Sequence, residues 1–262
     1  MLTLLAVTQS KGQQLVLPID IAPVTKTRIV IDKTTQKAKR VSEVTKLALA
    51  QTMLDRAVRN QVHFKHVLFD RWFAANDLLK SIHKLEKSFV TPIKSNRLIA
   101  LADKPSRREC TFKQANTMTF EEGRLTRIWL QGLECPLNLV RTVFRNKDGC
   151  VSGELLLVTN DLSLDAASVQ KLYSTRWRIE EFHKSLKQHT CVARSPTQTL
   201  STQSNHLCAS VCASIKLETL KRKTVMNHFA LKHLMMVRCA QSAFAQLKEL
   251  GLPTFSHLVT QT

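Results

Sequence analysis

An alternation of strand-like and helix-like segments in the first part of the chain constrains its fold more than any other feature. Residues 42–61 carry apolar side chains at helical spacing, and residues 66–70, HVLFD, form a short apolar run. Residues 74–84 return to helical spacing, and residues 88–96, SFVTPIKSN, to an extended pattern. Since strands that alternate with helices usually pair in parallel, this order predicts an α/β layer.

The segments on either side of this layer predict further strands and then helices. Residues 2–8 and 14–23 are apolar and predict a hairpin, which a basic loop follows from Lys26 to Arg40. From residue 97 to 160, short extended runs separated by turn signals predict a mostly antiparallel β insertion. The rest of the chain is predicted to form a strong helix over residues 165–189, more helices over about residues 204–248, and a loose tail over residues 251–262.

The charge of the chain predicts a polyanionic partner. Lys and Arg number 39 against 20 Asp and Glu, which gives a formal net charge of +19. Nucleic acid is the commonest partner of such a protein, and a basic protein without any such partner is the alternative. The apolar start, MLTLLAV, is too short to span a bilayer, so no membrane role is predicted. The seven cysteines include no CxxC pair, which suits a reducing cytoplasm.

The segment LYSTRWRIEEFHKSLKQ, residues 172–188, predicts a helix with two distinct faces. One face is apolar. The other places a carboxylate among cations, and its members are Tyr173, Arg176, Glu180, Lys184 and Lys187. The alternative is an ordinary amphipathic helix with a solvated face, stabilised by pairs such as Glu180 with Lys184.

The order of residues on that face resembles a known signature. Tyr173, Arg176, Glu180 and Lys187 reproduce the Y-R-E-K spacing of transposases of the insertion sequence 4 family, a family of DDE transposases. The strings KHVLFDRWFAANDLL and FVTPIKSNR resemble the second-aspartate strand of that family and the strand after it. SPTQTLSTQSNHL and MNHFALKH resemble its C-terminal helices, so the resemblance covers about residues 2–250.

The resemblance implies an α/β fold of the ribonuclease-H-like type, with a mixed sheet flanked by helices. Residues 1–96 and 161–250 would form the catalytic domain, and residues 97–160 would form the β insertion that precedes the helix with the glutamate. The expected function is cut-and-paste DNA transposition, in which a phosphodiester is hydrolysed and the freed 3′-hydroxyl is joined to a new phosphate by two-metal chemistry. A ribonuclease-H-like nuclease with another substrate is a further alternative, because fold alone does not define function.

The resemblance also implies a set of site residues. Asp70 and Glu180 match two of the three carboxylates that bind Mg²⁺ or Mn²⁺ and are the expected catalytic residues. Arg176 would orient Glu180 or bind a phosphate, and Tyr173 would hydrogen-bond a phosphate oxygen. The remaining residues expected to bind DNA or support the site are Lys187, Lys184, Lys94 and Arg97. For Lys94 and Arg97, which are expected at the same strand ends as Asp70, a solvated loop is the alternative.

Two tryptophans near these positions, Trp72 and Trp177, are interpreted as core residues, with stacking on a flipped base as the alternative. Transposon ends and target DNA are the expected partners, and the chain is expected to form a homo-oligomer or to assemble with a full-length transposase. The expected location is the cytoplasm of a bacterium, at the nucleoid.

The first catalytic aspartate of the family has no match in this sequence. It belongs at the end of a strand that precedes the one resembling LTLLAV, and neither Asp20 nor Asp32 occupies that position. The resemblance therefore implies an N-terminally truncated domain without its first strand, which is inactive alone because the aspartate is absent. The alternative is a non-catalytic DNA-binding or regulatory remnant that assembles with intact transposase.

Overall fold

The computed structural model describes residues 1–10, 12–32, 34–102, 110–195, 199–224 and 226–250. The tail predicted at residues 251–262 therefore lies outside the described residues. The chain divides into two compact units, the first made of residues 1–7 and 19–179 and the second of residues 8–18 and those after 179. Each unit is described by itself below.

The described residues form eleven strands and six α-helices. In chain order these are β1 (Leu2–Ser10), β2 (Gln13–Ala22), β3 (Arg28–Ile31), β4 (Ala38–Val41), α1 (Lys46–Arg59), β5 (His66–Leu68), α2 (Asn76–Lys84), β6 (Ser88–Ile93), β7 (Leu98–Leu101), β8 (Lys113–Gln114), β9 (Leu125–Leu130), β10 (Leu137–Arg145), β11 (Val151–Thr159), α3 (Ala166–Ser174), α4 (Arg178–His189), α5 (Leu200–Thr224) and α6 (His228–Glu249).

A mixed seven-stranded sheet organises the first unit, in the order β5-β6-β11-β10-β9-β7-β8. β5 and β6 are parallel, with Leu68 opposite Val90, as the strand–helix–strand pattern predicts. The other neighbouring strands pair antiparallel, including the five that fall within residues 97–160. The α/β class is therefore confirmed, while the ribonuclease-H-like type and the division into a catalytic domain with an insertion stay predictions.

Helices cover both faces of this sheet. Phe89 and Ile93 of β6 belong to the larger core, into which α1 and α2 insert residues such as Leu54 and Leu79. Val90, which alternation along the strand turns to the opposite face, packs in a smaller core with residues of α3. Each fully buried Leu or Phe contributes roughly 1.5–3 kcal/mol to folding, so the two cores hold the sheet between its helices.

A buried carboxylate ties the end of β11 to the start of β5. The carboxylate of Asp161 lies 3.0 Å from the Lys65 ammonium and 2.9 Å from Nε2 of His66, and it accepts a 2.5 Å hydrogen bond from the Ser163 hydroxyl. Burial acts to raise the pKa of Asp161, but the hydrogen bonds from Ser163, Lys65 and His66 hold that pKa well below its usual range. Asp161 is therefore a charged anchor at the end of β5 opposite to Asp70.

The structure tests the predictions for three segments of the chain. The hairpin predicted for residues 2–8 and 14–23 is confirmed as β1 and β2, which form a two-stranded sheet separate from the seven-stranded one. The basic loop predicted from Lys26 to Arg40 is wrong, because β3 and β4 pair there as a second hairpin. The helix predicted over residues 165–189 is confirmed in its extent, but a 3₁₀ turn at Thr175–Trp177 divides it into α3 and α4.

The second unit includes residues of β1 and β2, and its C-terminal part is helical, as predicted. The Nζ of Lys232 on α6 donates to the Gln188 carbonyl at 2.8 Å, which links α6 to the end of α4. His228 links all three helices, because its Nε2 lies 2.9 Å from the buried Glu218 carboxylate and its Nδ1 lies 2.9 Å from the Ser185 hydroxyl. No helix in the described part of the chain is long and apolar enough to cross a membrane.

Candidate active site

Asp70 stands where β5 ends and the chain turns towards α2. Its carboxylate accepts a hydrogen bond from the Trp72 amide at 2.6 Å, and its carbonyl accepts one from the Phe73 amide at 3.0 Å. The buried Thr91 hydroxyl on β6 donates to the same carbonyl at 3.5 Å. These contacts fix the turn, which leaves the Asp70 side chain exposed at the carboxyl end of the strand.

Lys94 lies at the same edge of the sheet as Asp70. It follows directly after β6, which runs parallel to β5, so the carboxyl ends of the two strands point the same way. The Lys94 side chain is exposed. The predicted placement of Lys94 beside the end of β5 is therefore what the structure shows, while its contact with DNA stays a prediction.

Tyr173 lies near enough to Asp70 for the charge of that carboxylate to act on its hydroxyl, although the two residues are far apart in the sequence. The Arg176 guanidinium lies 5.8 Å from the centre of the Tyr173 ring, and the two side chains also share a hydrogen bond. Burial raises the pKa of the Tyr173 hydroxyl, the positive charge of Arg176 lowers it, and the negative charge of Asp70 raises it further. The first unit thus brings together one predicted carboxylate and two predicted phosphate-binding groups.

Arg71 is a cation of this neighbourhood that the sequence interpretation missed. Its charge acts on Tyr173, and it lines a cleft of about 370 Å³ together with Ser95, Asn116 and the Arg141–Glu154 ion pair. Its position immediately after Asp70, at the end of a predicted strand, was the available signal. With Arg71 and Arg176, positive charge faces Tyr173 from both the β5 turn and the segment after α3.

Both tryptophans are exposed, so their interpretation as core residues is wrong. Trp72 is 51% exposed and Trp177 is 60% exposed. Trp72 stands next to the Asp70 turn. Its ring and that of Phe73 make a T-shaped contact with their centres 4.9 Å apart, and the Lys46 ammonium lies 5.6 Å from the centre of the Trp72 ring. An exposed indole is able to stack on a nucleobase, which keeps that alternative open for Trp72.

Arg97, in contrast, has a partner inside the protein. Its half-buried guanidinium donates a hydrogen bond to Oδ1 of Asn76, whose Nδ2 donates to the Gln131 carbonyl at 3.0 Å. Gly132 has φ +91°, and a Cβ built there would lie 2.0 Å from the same Asn76 amide nitrogen. Burial lowers the pKa of Arg97. Arg97 therefore closes a packed junction between β7, α2 and the turn after β9.

We expect Arg97→Ala to lower the free energy of unfolding by about 1–3 kcal/mol, because it removes a charge-assisted hydrogen bond and leaves the Asn76 carbonyl oxygen without its donor. Lys94→Ala removes a cation of the same strand connection from an exposed position and should change stability by less than about 0.5 kcal/mol. Urea unfolding monitored by circular dichroism measures both. Equal destabilisation by the two variants would contradict the structural role of Arg97.

The predicted residues of the signature that follow Arg176 lie on α4. Glu180 is in its first turn, and Glu180, Lys184 and Lys187 are all exposed, while Phe182 and Leu186 are buried. Burial lowers the pKa of His183, the positive charge of Lys187 acts in the same direction, and the negative charge of Glu180 opposes them. The helix thus presents the polar face that the spacing predicts.

The described residues do not supply a complete two-metal site. No group of three or more His, Cys, Asp or Glu side chains among them is arranged to hold a metal ion. Asp20 pairs with Arg56 at 3.0 Å, and the Asp32 carboxylate accepts from the amides of Thr34 and Thr35. Two ions a few ångströms apart need several carboxylate oxygens, so Asp70 and Glu180 by themselves do not fit that requirement.

The first unit of this α/β protein has an exposed aspartate at a strand end, near a tyrosine and two arginines. This group of side chains is a candidate site for an anionic substrate. Residues 19–215 match the model of a family described as Transposase DDE domain. The match spans well over half of the chain, and the chain belongs to this family. The family acts in DNA transposition, binds DNA and generally uses divalent metal ions. A search of curated proteins found no significant match.

Proposed function

We propose that this chain carries part of the catalytic site of a cut-and-paste DNA transposase of the insertion sequence 4 family, on a ribonuclease-H-like sheet. The observation that carries the proposal is the Arg176 guanidinium 5.8 Å from the centre of the Tyr173 ring, at a place where the charge of Asp70 acts on the Tyr173 hydroxyl. In the proposed assignment these are the second catalytic aspartate and the first two residues of the Y-R-E-K signature. The family match includes all of them as well as Glu180 and Lys187.

The proposed roles follow from the chemistry of each side chain. Arg176 offers a planar pair of donors to a DNA phosphate, and the Tyr173 hydroxyl donates to a phosphate oxygen. A tyrosine hydroxyl is protonated, and therefore a donor, at neutral pH, and burial raises the pKa of Tyr173 further above its ordinary value. The exposed ammonium groups of Lys94, Lys184 and Lys187 neutralise backbone phosphates.

Asp70 and Glu180 are the proposed ligands of a divalent ion, Mg²⁺ or Mn²⁺. Hard cations prefer carboxylate oxygens, and both carboxylates are exposed to solvent. Because the described residues contain no third ligand beside them, we propose that the chain alone binds one ion loosely and neither nicks nor joins DNA. Activity would then require a third carboxylate beside this pair.

The second candidate function is a DNA-binding or regulatory one, through mixed assembly with an intact transposase. Its support is that no group of three or more His, Cys, Asp or Glu among the described residues is arranged to hold a metal ion. In both candidates the partner is DNA, and the proposed place of action is the nucleoid in a bacterial cytoplasm.

The proposed ligand pair is tested with Fe²⁺ in place of Mg²⁺, since bound iron with ascorbate and peroxide cuts the polypeptide close to its ligands. We expect cuts near residue 70 and near residue 180, and the loss of both sets in Asp70→Asn and in Glu180→Gln. The controls Asp148→Asn and Glu134→Gln change exposed carboxylates of the same types and should leave both sets of cuts in place.

Cuts at only one of the two positions, or cuts that persist in the Asp70 and Glu180 variants, would contradict a shared ion. A separate incubation with transposon-end DNA and Mg²⁺ or Mn²⁺ tests inactivity. If the chain alone cleaves this DNA, and Glu180→Ala abolishes cleavage, the ligand set is complete after all. Asp20 and Asp32 would then be the first residues to substitute.

A further inference from the structure

The β3–β4 hairpin is a two-stranded ribbon of the first unit that is separate from the seven-stranded sheet. Its strands pair with each other, Arg28 opposite Val41 and Ile31 opposite Ala38, and neither strand packs substantially against another element. All four residues of β3 are exposed, and so are three of the four in β4. A lone two-stranded ribbon is marginally stable in water. An exposed ribbon that carries apolar side chains is therefore typical of a surface that binds a partner molecule.

The hairpin is strongly basic. The described residues of its strands, its turn and the residues before it carry five cations, Lys26, Arg28, Lys37, Lys39 and Arg40. The one acidic residue among them, Asp32, is held by the turn, because its carboxylate accepts from the amides of Thr34 and Thr35. The charge of the hairpin is therefore complementary to a polyanion.

The hairpin is also apolar on its exposed faces. Ile29 and Ile31 are 63% and 62% exposed and share one face of the ribbon, together with Arg40 opposite Ile29. Val30, on the other face, is 38% exposed and stands opposite Lys39. A surface made only for phosphates has no need of these side chains, whereas the thymine methyl groups in the major groove are bound by apolar contacts.

We propose that the β3–β4 hairpin inserts into the major groove of duplex DNA, with Ile29 and Ile31 towards the base edges and the cations on the flanking phosphates. This proposal rests on the proposed function and names a DNA-binding element of it. A ribbon with side chains on both faces is about 10 Å thick, as judged from the spacing of stacked sheets. The major groove is about 12 Å wide and admits such a ribbon, while the minor groove, at about 6 Å, does not.

The cations are tested in a triple variant, Lys37→Ala/Lys39→Ala/Arg40→Ala, by fluorescence anisotropy with a random-sequence duplex. We expect at least tenfold weaker binding. The slope of log affinity against log salt concentration should become shallower by about 2–3, because each lost phosphate contact removes about 0.9 from this slope. The matched control, Lys80→Ala/Lys84→Ala/Lys147→Ala, removes three exposed cations of the same unit outside the hairpin and should change both values less.

The apolar face is tested separately with Ile29→Thr/Ile31→Thr, which keeps β-branched side chains and so keeps the preference for a strand. We expect roughly tenfold weaker binding with an unchanged salt slope, since no phosphate contact is lost. Circular dichroism and the urea midpoint should match the unsubstituted protein, because the substituted side chains are exposed. A drug that fills the minor groove should not displace the protein.

The outcomes separate this inference from the proposed function. If the unsubstituted protein binds duplex DNA and both hairpin variants bind equally well, the hairpin proposal is wrong while the transposase assignment stands. If the unsubstituted protein does not bind DNA at all, the proposed function itself fails. Displacement by the minor-groove drug overturns the choice of groove. Unchanged binding by the threonine variant overturns base-edge contact, and stronger binding to polyglutamate than to DNA would indicate an acidic protein as the partner.

Discussion

DNA binding by this protein is expected to weaken by about a thousandfold when monovalent salt rises from about 50 mM to about 200 mM, if about six phosphates are neutralised. The physical reason is the release of condensed counterions from the duplex as Lys and Arg side chains replace them. The net charge of +19 supplies the cations, and the exposed Lys94, Lys184 and Lys187 are among them. Filter binding or anisotropy with two unrelated duplexes of equal length measures the effect.

The two duplexes should give affinities within a few-fold of each other, because phosphate contacts carry no sequence information. Sucrose at the osmolality of the higher salt is the control, and it should leave the affinity unchanged. A fall of less than tenfold over the same range would show that charge is a minor part of DNA binding by this chain. It would also remove the basis for assigning the exposed cations to phosphates.

The second large effect is expected from Asp161→Asn, which should lower the free energy of unfolding by about 2–3 kcal/mol near neutral pH. Removing one partner of a buried ion pair typically costs about 3–5 kcal/mol, and the solvent exposure of Lys65 reduces this value. The variant leaves Lys65 and His66 without the carboxylate that joins them to the end of β11. Urea unfolding near neutral pH measures the loss.

The same pair of proteins should behave differently in acid. Because the folded-state pKa of Asp161 lies below its unfolded value, its contribution is fully present above the unfolded pKa, about 3.9, and is lost as the pH falls towards the folded one. The difference between the original protein and Asp161→Asn should therefore shrink as the pH is lowered through about 4. Asp148→Asn, at an exposed turn, is the control. A difference that grows in acid would contradict the lowered pKa.

The sequence was most informative where burial and local pattern agree. The apolar run that ends in Asp70 and the one in residues 88–93 have the composition of buried strands, and a helix-length segment separates them. Both are strands of one sheet, in parallel, and Asp70 lies at its predicted end. Such local order is readable because each strand buries side chains on both faces and is connected by a short helix.

The β3–β4 hairpin could not be predicted in the same way. Its apolar run, Ile29–Ile31, is only three residues long and lies between basic and polar residues, so no hydrophobic pattern of strand length distinguishes it from a loop. The turn itself uses the Asp32 carboxylate and a positive φ of 54° at Gln36, which a search for glycine turns does not find. A ribbon of this kind is specified by pairing between its own strands.

The 3₁₀ turn and the partner of Arg97 differ from the sequence predictions for other reasons. The 3₁₀ turn at Thr175–Trp177 interrupts an otherwise helical pattern, and helical periodicity over such short segments does not distinguish 3.0 from 3.6 residues per turn. The sequence predicts Arg97 at the same place as Lys94, because both residues follow the same strand. Its actual partner, Asn76, stands at the start of α2, and only the folded chain brings the two together. A pattern of neighbouring residues in the sequence does not show contacts between distant segments.

The junction of Asn76, Arg97 and Gly132 also has a consequence for how this sequence is able to vary over evolution. A side chain at position 132 would displace the Asn76 amide, and without that amide the half-buried charge of Arg97 would lose its acceptor. The positive φ of Gly132 disfavours any other residue there whatever stands at position 76, so this glycine is constrained independently. Positions 76 and 97 depend on each other, so relatives with a different residue at position 76 should differ at position 97 as well.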